Sequence, residues 1–235
     1  MIQDLLLGID VGTTSVKGAL YTLDGECLLL RSLAYPTLRP RAAWVEQDPA
    51  EWMTAIRTIC AEAQATAGGG RIMALGLTSQ VNTHVFVDAN GNALLPAISW
   101  QDQRCAAAAA KLDQMIPDDL RAACWGSDFK PDASFLMSRV QWLVDEHPEH
   151  WPRTRWVLAP KDYCLLQLTG AVAADPISSV RMTDERGAYV SAAFGLIDGL
   201  AERLPALQPI EAVVGTVKAE FLRDTPAAVV GIMDA

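Results

Sequence analysis

The order of apolar runs and turn residues predicts an α/β domain with a mixed five-stranded sheet flanked by helices. Three short apolar runs follow one another near the amino terminus, at residues 5–11, 16–21 and 26–33. Asp24-Gly25, between the second and third runs, is a strong hairpin signal, so the three runs predict an antiparallel meander. Beyond the meander, helical and strand-like segments alternate, which predicts further strands connected through helices.

The first helix after the meander has clear start and end signals. Asp48 can cap it, and Pro49 suits the first helical position. Trp52, Ile56 and Ile59 recur on one face, and the glycines at 68–70 close the helix. Further strands are predicted at residues 72–78, 84–88, 93–98, 213–217 and 227–231, and further helices after residue 104, at 134–146 and at 162–168. This order, without a G-x-G-x-x-G motif, is typical of the ribonuclease H-like fold of actin-like ATPases.

Composition and charge exclude several classes of function. The chain has 235 residues and a formal net charge of −9, which argues against non-specific binding to nucleic acid or to an anionic membrane. Five cysteines without a C-x-x-C pair suit a reducing compartment better than a disulfide framework or a zinc site. The first residues of this sequence lack the basic start and apolar core of a signal peptide, because Asp4 and Asp10 interrupt them, and no apolar run approaches the roughly 20 residues that span a membrane. We therefore expect a cytoplasmic protein.

The stretch GIDVGTTSVKGAL, which begins at Gly8, places small and hydroxyl residues at a turn between two predicted strands. Gly12 lets this turn approach a phosphate closely, and Thr13 and Thr14 offer hydroxyl and backbone N–H donors. Lys17 adds a positive charge, and Asp10 suits an anchor for Mg²⁺, which bridges carboxylate to phosphate. These residues predict a site for a magnesium-bound phosphate, and a plain hairpin turn is the alternative that the stretch leaves open.

Five segments carry a shared pattern over the whole chain: GIDVGTTSVKGAL, WVEQDPAEW, ALGLTSQVNTHVFVDANGNALLPAISWQDQR, DYCLLQLTG and TPAAVVGIMDA. In this order and spacing they resemble the FGGY family of carbohydrate kinases, which includes glycerol kinase and xylulokinase. Each segment alone is only suggestive, whereas the ordered set is specific.

The resemblance implies an enzyme that transfers the γ-phosphoryl group of ATP to a hydroxyl of a sugar or polyol. It assigns Asp10 to the magnesium site, and Gly12, Thr13, Thr14 and Lys17 to the phosphates of ATP. Asp234 matches the catalytic base of the family, which accepts the proton of the reacting hydroxyl. The residues implied in substrate binding are Gln80, Val81, Asn82, Trp100, Asp102 and Arg104.

The family has two domains with the substrates in the cleft between them. Residues 1–225 correspond to the sugar-binding N-terminal domain, and residues 226–235 to the start of a C-terminal nucleotide-binding domain that is missing here. We therefore expect this chain alone to transfer phosphate poorly or not at all. We also expect it to expose an apolar face, which favours self-association such as a homodimer.

Departures from the family pattern leave the substrate open. Val81-Asn82 is neither the Met-His of xylulokinase-like sequences nor the Arg-Glu of glycerol-kinase-like sequences. The position of a substrate-contacting tyrosine falls near Ser134, and Arg139 stands where a family signature has Lys. For His84, close to the predicted sugar pocket, a packed strand histidine is favoured over a pocket residue.

Two other functions fit parts of the pattern. One is a non-catalytic module that senses a sugar or a partner and derives from such a kinase. The other is a different actin-like ATPase, such as a relative of acetate kinase or of a chaperone. The block from Gln80 to Arg104 argues against the second, because those relatives need no such sugar-binding segment.

Overall fold

The computed structural model describes residues 2–179 and 181–222 in full, and residues 228–234 by their backbone alone. The strands are β1 (Asp4–Val11), β2 (Ser15–Thr22), β3 (Cys27–Ala34), β4 (Glu46–Gln47), β5 (Arg71–Ser79), β6 (Val85–Val87), β7 (Ala97–Ile98), β8 (Trp156–Leu158), β9 (Val213–Thr216) and β10 (Ala228–Asp234). The helices are α1 (Pro49–Ala67), α2 (Ala106–Met115), α3 (Asp118–Cys124), α4 (Leu136–Glu146), α5 (Pro160–Thr169) and α6 (Ser191–Phe194).

A mixed sheet in the order β3-β2-β1-β5-β10-β9 forms the centre of the fold. The meander β1-β2-β3 is antiparallel, whereas β5 runs parallel to β1 and β10 runs parallel to β5. The predicted mixed α/β fold is confirmed, but the sheet has six strands in the described part of the chain, one more than predicted. The segments predicted as strands at 84–88 and 93–98 lie outside it, because β6 pairs with β8 and β7 pairs with β4.

The local signals of the first helix and of the first hairpin are confirmed. The Asp48 side chain accepts a hydrogen bond from the backbone N–H of Ala50 at 2.9 Å, and Gly68 ends α1 in the left-handed conformation with φ 56°. Gly25 has φ 88°, which L-residues with side chains rarely adopt, and its N–H donates to the carbonyl of Thr22. The helix cap and the hairpin turn each depend on residues that are close together in the sequence.

Two apolar cores share the β6–β8 ribbon. The first core lies between one face of the main sheet and α1 and α5, and the second packs around α2 and α4. Val85 and Val87 belong to the first core, whereas Phe86 between them belongs to the second. Because neighbouring residues of a strand point to opposite faces, this short ribbon is buried on both sides and joins the two cores.

The opposite face of the main sheet is open. Leu6, Tyr21 and Leu30 on this face are 41%, 40% and 72% exposed. These three side chains give the face exposed apolar area in the described part of the chain, and the expectation that such a face favours self-association stays a prediction. Among the described residues, no helix combines the length and the apolar character needed to cross a lipid bilayer.

Candidate functional site

Asp10 lies on the open face of the sheet, near the carboxyl end of β1. In the strand register it is opposite Lys17 of β2 and Thr78 of β5, and Lys17 Nζ lies 3.3 Å from Asp10 Oδ2. These three side chains line a shallow groove of about 350 Å³, together with Gly8 and Gly76 among others. Glycine at those two positions leaves the groove floor without side chains. The structure thus places the predicted carboxylate and ammonium side by side at an accessible site.

The turn at residues 12–15 leaves space against the Asp10 carboxylate. The N–H of Gly12 donates to the carbonyl of Ser15 at 3.1 Å and closes the turn. A Cβ atom at Gly12 would lie 3.2 Å from that carbonyl oxygen and 3.7 and 3.8 Å from the two carboxylate oxygens of Asp10. A side chain there would crowd the turn and fill the space beside the carboxylate. The predicted requirement for glycine therefore has a steric reason.

The side chains around Asp10 fit a hydrated magnesium ion. A single carboxylate with hard oxygen atoms is a common protein contribution to Mg²⁺, which retains several of its waters. Thr78 Oγ1, on the neighbouring strand, is buried and has no hydrogen-bond partner among the described residues. A buried hydroxyl without a partner carries an energetic cost, which a water of the ion can relieve.

A ring of hydrogen bonds connects the 12–15 turn to the segment after β5. Gln47 Nε2 donates to the carbonyl of Thr13 at 2.8 Å, and Gln80 Nε2 donates to Gln47 Oε1 at 2.7 Å. Thr83 Oγ1 donates to Gln80 Oε1 and accepts from the backbone N–H of Trp100, each at 3.1 Å. Trp100 Nε1 donates to Thr13 Oγ1 at 3.1 Å and closes the ring. The structure therefore joins three predicted site residues, Thr13, Gln80 and Trp100.

Tyr35 attaches to the same ring, and sequence reasoning missed it together with Gln47 and Thr83. The Tyr35 hydroxyl donates to the carbonyl of Gly12, and Gln80 Nε2 lies within 3.4 Å of it. Burial raises the pKa of Tyr35 to about 12, so the hydroxyl keeps its proton at neutral pH. The signal in the sequence is the segment WVEQDPAEW, which contains Gln47 but whose local pattern indicates only the approach to a helix.

The two residues after Gln80 point toward solvent. Val81 is 43% exposed, and Asn82 is exposed with φ 53°, in the left-handed region that Asn tolerates better than most residues. Trp100 is 44% exposed. Gln80, in contrast, is buried, with its amide held in the ring. Of this group, Val81, Asn82 and Trp100 are the ones with surface available to a ligand.

Asp102 and Arg104 form a buried ion pair. Both side chains are nearly inaccessible, at 0% and 2% exposure, and Arg104 Nη2 lies 2.7 Å from Asp102 Oδ2. Arg104 also reaches Glu46 Oε1 at 2.8 Å and lies 3.5 Å from the centre of the Trp44 ring, while Asp102 accepts the backbone N–H of Val45. The polar groups of this pair are directed at one another. In this structure they fix the loop that carries Trp100 and present no surface to a small molecule.

A cavity of about 290 Å³ lies beside the exposed segment. Of the predicted site residues that the structure describes, only Val81 and Asn82 line it, and its wall continues through His84, Phe135 and Asp162. Neither Trp100 nor the 12–15 turn lines this cavity. Thr13, Gln80 and Trp100 belong to the hydrogen-bond ring and do not line this cavity, so the ring is the stronger candidate for the functional site.

His84 packs against a buried arginine. Arg139 is 0% exposed and donates to the carbonyls of Ile98 and Ser99, and its Nη1 lies 3.1 Å from His84 Nδ1. Burial and the charge of Arg139 hold the pKa of His84 well below its usual range. The neutral imidazole accepts the arginine hydrogen bond. His84 is therefore the packed histidine that the sequence favours, and it also occupies a position on a cavity wall.

Acidification is expected to destabilise the protein through His84. Below about pH 6.5 the unfolded chain binds a proton that the folded chain does not, so stability falls as the pH falls, by about 1.4 kcal/mol per unit. Urea unfolding at pH 7 and pH 5 should show a loss in the wild type about 2 kcal/mol larger than in His84→Asn, which keeps an acceptor for Arg139. His147→Asn, at a more exposed site, controls for histidine removal. Equal losses in the wild type and His84→Asn would contradict this explanation.

A second buried ionic cluster lies at the start of α5. Lys161 Nζ is 2.6 Å from Asp162 Oδ1 and 3.1 Å from Asp175 Oδ2, and all three side chains are at most 4% exposed. Burial raises the pKa of Asp162 despite the neighbouring lysine. Asp175 also accepts the backbone N–H groups of Ile177 and Ser178. The cluster joins α5 to the loop that forms one side of the cavity.

Asp234, the predicted catalytic base, is described by its backbone alone. It is the last residue of β10 and pairs with Ser79, the last residue of β5. Because β1, β5 and β10 are parallel, their carboxyl ends lie at the same edge of the sheet as Asp10 and the 12–15 turn. The side chain of Asp234 lies outside the described part of the structure, so its role stays a prediction.

Comparison with known proteins assigns the chain to a family. Residues 5–233 match the FGGY family of carbohydrate kinases, N-terminal domain. The xylulose kinase of Escherichia coli (strain K12) is 31% identical over 171 residues, which cover 73% of this chain and 34% of that protein. The xylulose kinase of Klebsiella pneumoniae is 28% identical over 97% of this chain and 47% of that protein. The crystal structure of a kinase from Brucella ovis, named a xyloylose kinase, superposes with a TM-score of 0.87 at 27% identity and covers 98% of this chain and 48% of that one.

Proposed function

The chain belongs to the FGGY family of carbohydrate kinases, and we propose that it forms the sugar-binding part of an enzyme that phosphorylates a sugar or polyol with ATP. The observation that carries the proposal is the hydrogen-bond ring, which joins Trp100 and Gln80 to the Thr13 turn next to Asp10. A kinase needs its acceptor and the ATP phosphates held in a fixed relation, because phosphoryl transfer depends mainly on positioning and charge stabilisation.

The phosphate side of the proposed site consists of Asp10, Lys17 and the 12–15 turn. Asp10 would hold Mg²⁺, and Thr78 would hydrogen-bond a water of the ion. When bound, the ion neutralises negative charge on the phosphates. Lys17 contributes a positive charge, Thr13 and Thr14 contribute hydroxyl and N–H donors, and Gly12 keeps the approach free of a side chain.

The substrate side consists of the exposed residues after β5 and the face of Trp100. Asn82 can donate and accept hydrogen bonds, which suits a sugar hydroxyl, while Val81 and Trp100 offer apolar contact. The family resemblance predicts that Asp102 and Arg104 contact the substrate directly. We propose instead that they position the loop that carries Trp100, because their polar groups are buried and directed at each other. Asp234 is proposed as the base that takes the hydroxyl proton, on the strength of the family resemblance and its place at the same sheet edge.

The domain assignment is part of the proposal. The chain spans about a third to a half of the length of the kinases it matches. We propose that residues 1–225 form the sugar-binding domain and that residues 226–235 lead into a nucleotide-binding domain. A cytoplasmic location is also proposed, on the basis of five cysteines without a C-x-x-C pair.

Turnover by the complete gene product that contains this chain tests the proposal. We expect ADP release in the presence of one member of a panel of ketopentoses, gluconate, glycerol and other polyols. Trp100→Phe should lower kcat/KM for that substrate about five- to tenfold, which corresponds to the loss of one hydrogen bond. Trp151→Phe, which removes an indole N–H bonded to the carbonyl of Asp198, is the matched control and should be unaffected. No ADP release with any sugar or polyol would contradict the proposal and favour a sugar-sensing module.

A further inference from the structure

The side-chain amide of Gln47 bonds to two different segments of the site, one at each end. Gln47 is the last residue of β4 and is 0% exposed. Its Nε2 donates to the carbonyl of Thr13 at 2.8 Å and lies 3.5 Å from Thr37 Oγ1. Its Oε1 accepts from Gln80 Nε2 at 2.7 Å and lies 3.4 Å from the Tyr35 hydroxyl. Because the Tyr35 hydroxyl donates its one hydrogen to the carbonyl of Gly12, the short bonds of the Gln47 amide are those to Thr13 and Gln80.

This arrangement permits only one orientation of the amide. With oxygen and nitrogen exchanged, Gln47 would direct an oxygen at the Thr13 carbonyl and an N–H at the Gln80 amide N–H group. Both contacts would be repulsive, in a place without water to compensate. The side chain therefore acts as a rigid link between two specific groups, rather than as a polar residue that fills space.

Three side chains from other segments hold the 12–15 turn at three different atoms. Gln47 holds the carbonyl of Thr13, Trp100 holds its hydroxyl, and Tyr35 holds the carbonyl of Gly12. Of these three residues, Trp100 is 44% exposed, and Gln47 makes the shorter contact with Gln80 Nε2, at 2.7 Å compared with 3.4 Å for the Tyr35 hydroxyl. Through these bonds, a displacement of Gln80 or Trp100 by substrate would reach the turn that is proposed to face the phosphates.

We propose that Gln47 is a positioning residue that holds the 12–15 turn in register with the substrate-contacting segment. The proposal rests on the proposed kinase function, to which it adds a link between the two halves of the site. Gln47 contacts neither the transferred group nor the acceptor; it acts through Thr13 and Gln80. Its loss should therefore affect the rate of transfer more than the affinity for the sugar.

The test replaces Gln47 by Met, which has a similar shape and no amide, in the complete gene product. Gln141→Met is the matched control, because Gln141 is also buried and its amide bonds only locally, to Asp145 at 3.0 Å on α4. Gln47→Asn is a second variant, which keeps a neutral amide but is one CH₂ shorter, so it cannot bond to Thr13 and Gln80 at once. It places no charge at this buried position and preserves the test if the Met variant does not fold.

Two measurements separate this inference from the proposed function. Kinetics should show a fall in kcat of about 10- to 100-fold for Gln47→Met, with the KM for sugar within about threefold of the wild type. Amide hydrogen exchange should become faster at Gly12 and Tyr35, whose N–H groups bond to the carbonyls of Ser15 and Thr14. Gln141→Met should resemble the wild type in both measurements.

Amide exchange rates at Gly12 and Tyr35 that are the same in Gln47→Met as in the wild type would overturn the positioning role. A rise in the KM for sugar as large as the fall in kcat would overturn it as well. If the wild-type enzyme phosphorylates no sugar, the kinase proposal fails. The exchange experiment then still decides whether Gln47 holds the turn.

Discussion

Asp10→Asn is expected to lower kcat of the complete gene product by about 10²–10³-fold on its sugar or polyol, an effect comparable to the removal of one preorganised charge-stabilising group. Asn keeps the size of the side chain and its place on β1, but it lacks the charge that would hold a divalent cation. The apparent KM for Mg²⁺ should rise as well. Stability should hardly change, because the lost ion pair with Lys17 is largely exposed, and such pairs contribute about 0–1 kcal/mol.

Asp4→Asn provides the matched control for this prediction. Asp4 begins the same strand and also pairs with a basic residue, Arg71, at 2.9 Å, but it lies at the opposite end of β1 from the 12–15 turn. The control should therefore retain wild-type turnover and magnesium dependence. Turnover of Asp10→Asn within a factor of about three of the wild type would show that Asp10 does not anchor the ion.

Lys161→Met is expected to cost about 3–5 kcal/mol of unfolding free energy, because it leaves two buried carboxyl groups without their shared cation. Asp162 has a pKa already raised by burial, and in the variant it would take up a proton. Asp175 would keep its backbone N–H partners but lose the lysine at 3.1 Å. The free energy is measured by urea unfolding at pH 7, and the variant should unfold at a clearly lower midpoint.

The control for this prediction is a lysine–aspartate pair that differs from the Lys161–Asp162 pair mainly in burial. Lys111 Nζ lies 2.6 Å from Asp145 Oδ1, the same separation as in the Lys161–Asp162 pair, but Lys111 is 51% exposed. Lys111→Met should cost no more than about 1 kcal/mol. If both variants lose the same small amount, the buried cluster is not a significant source of stability, and the loop at Asp175 must be held by its other contacts.

The residues around the site are held in place by buried charges as well as by the sheet. Arg104 fixes the loop that carries Trp100, Arg139 binds the carbonyls of Ile98 and Ser99, and Lys161 joins α5 to the cavity loop. Loops lack the ladder hydrogen bonds of strands, so directed side-chain contacts determine their positions. Removing one member of such a buried group leaves its partner unpaired, which explains why large effects are expected at positions remote from the reacting atoms.

Features set by neighbouring residues could be predicted from the sequence alone. The meander, the Asp24-Gly25 turn and helix α1 with its Asp48 cap all depend on short separations and on the period of the apolar pattern. The same holds for the five family segments, which indicate the fold and the kind of chemistry by their residues, order and spacing. The exposed positions of Val81 and Trp100 also agree with a role in binding.

Only the tertiary structure decided which distant segments meet. These contacts include the partners of β6 and β7, the sixth strand of the sheet, the burial of Asp102 with Arg104, and the place of Gln47 between Thr13 and Gln80. They depend on residues at least 33 positions apart or on short strands with no preferred partner of their own. A short apolar strand can pair with any free strand edge. For a buried polar residue, the sequence indicates that a hydrogen-bond partner is needed but does not identify it. Which partner it receives is determined by the packing of the two cores around it, because that packing brings the donors and acceptors within hydrogen-bond distance and excludes the water that would otherwise serve them.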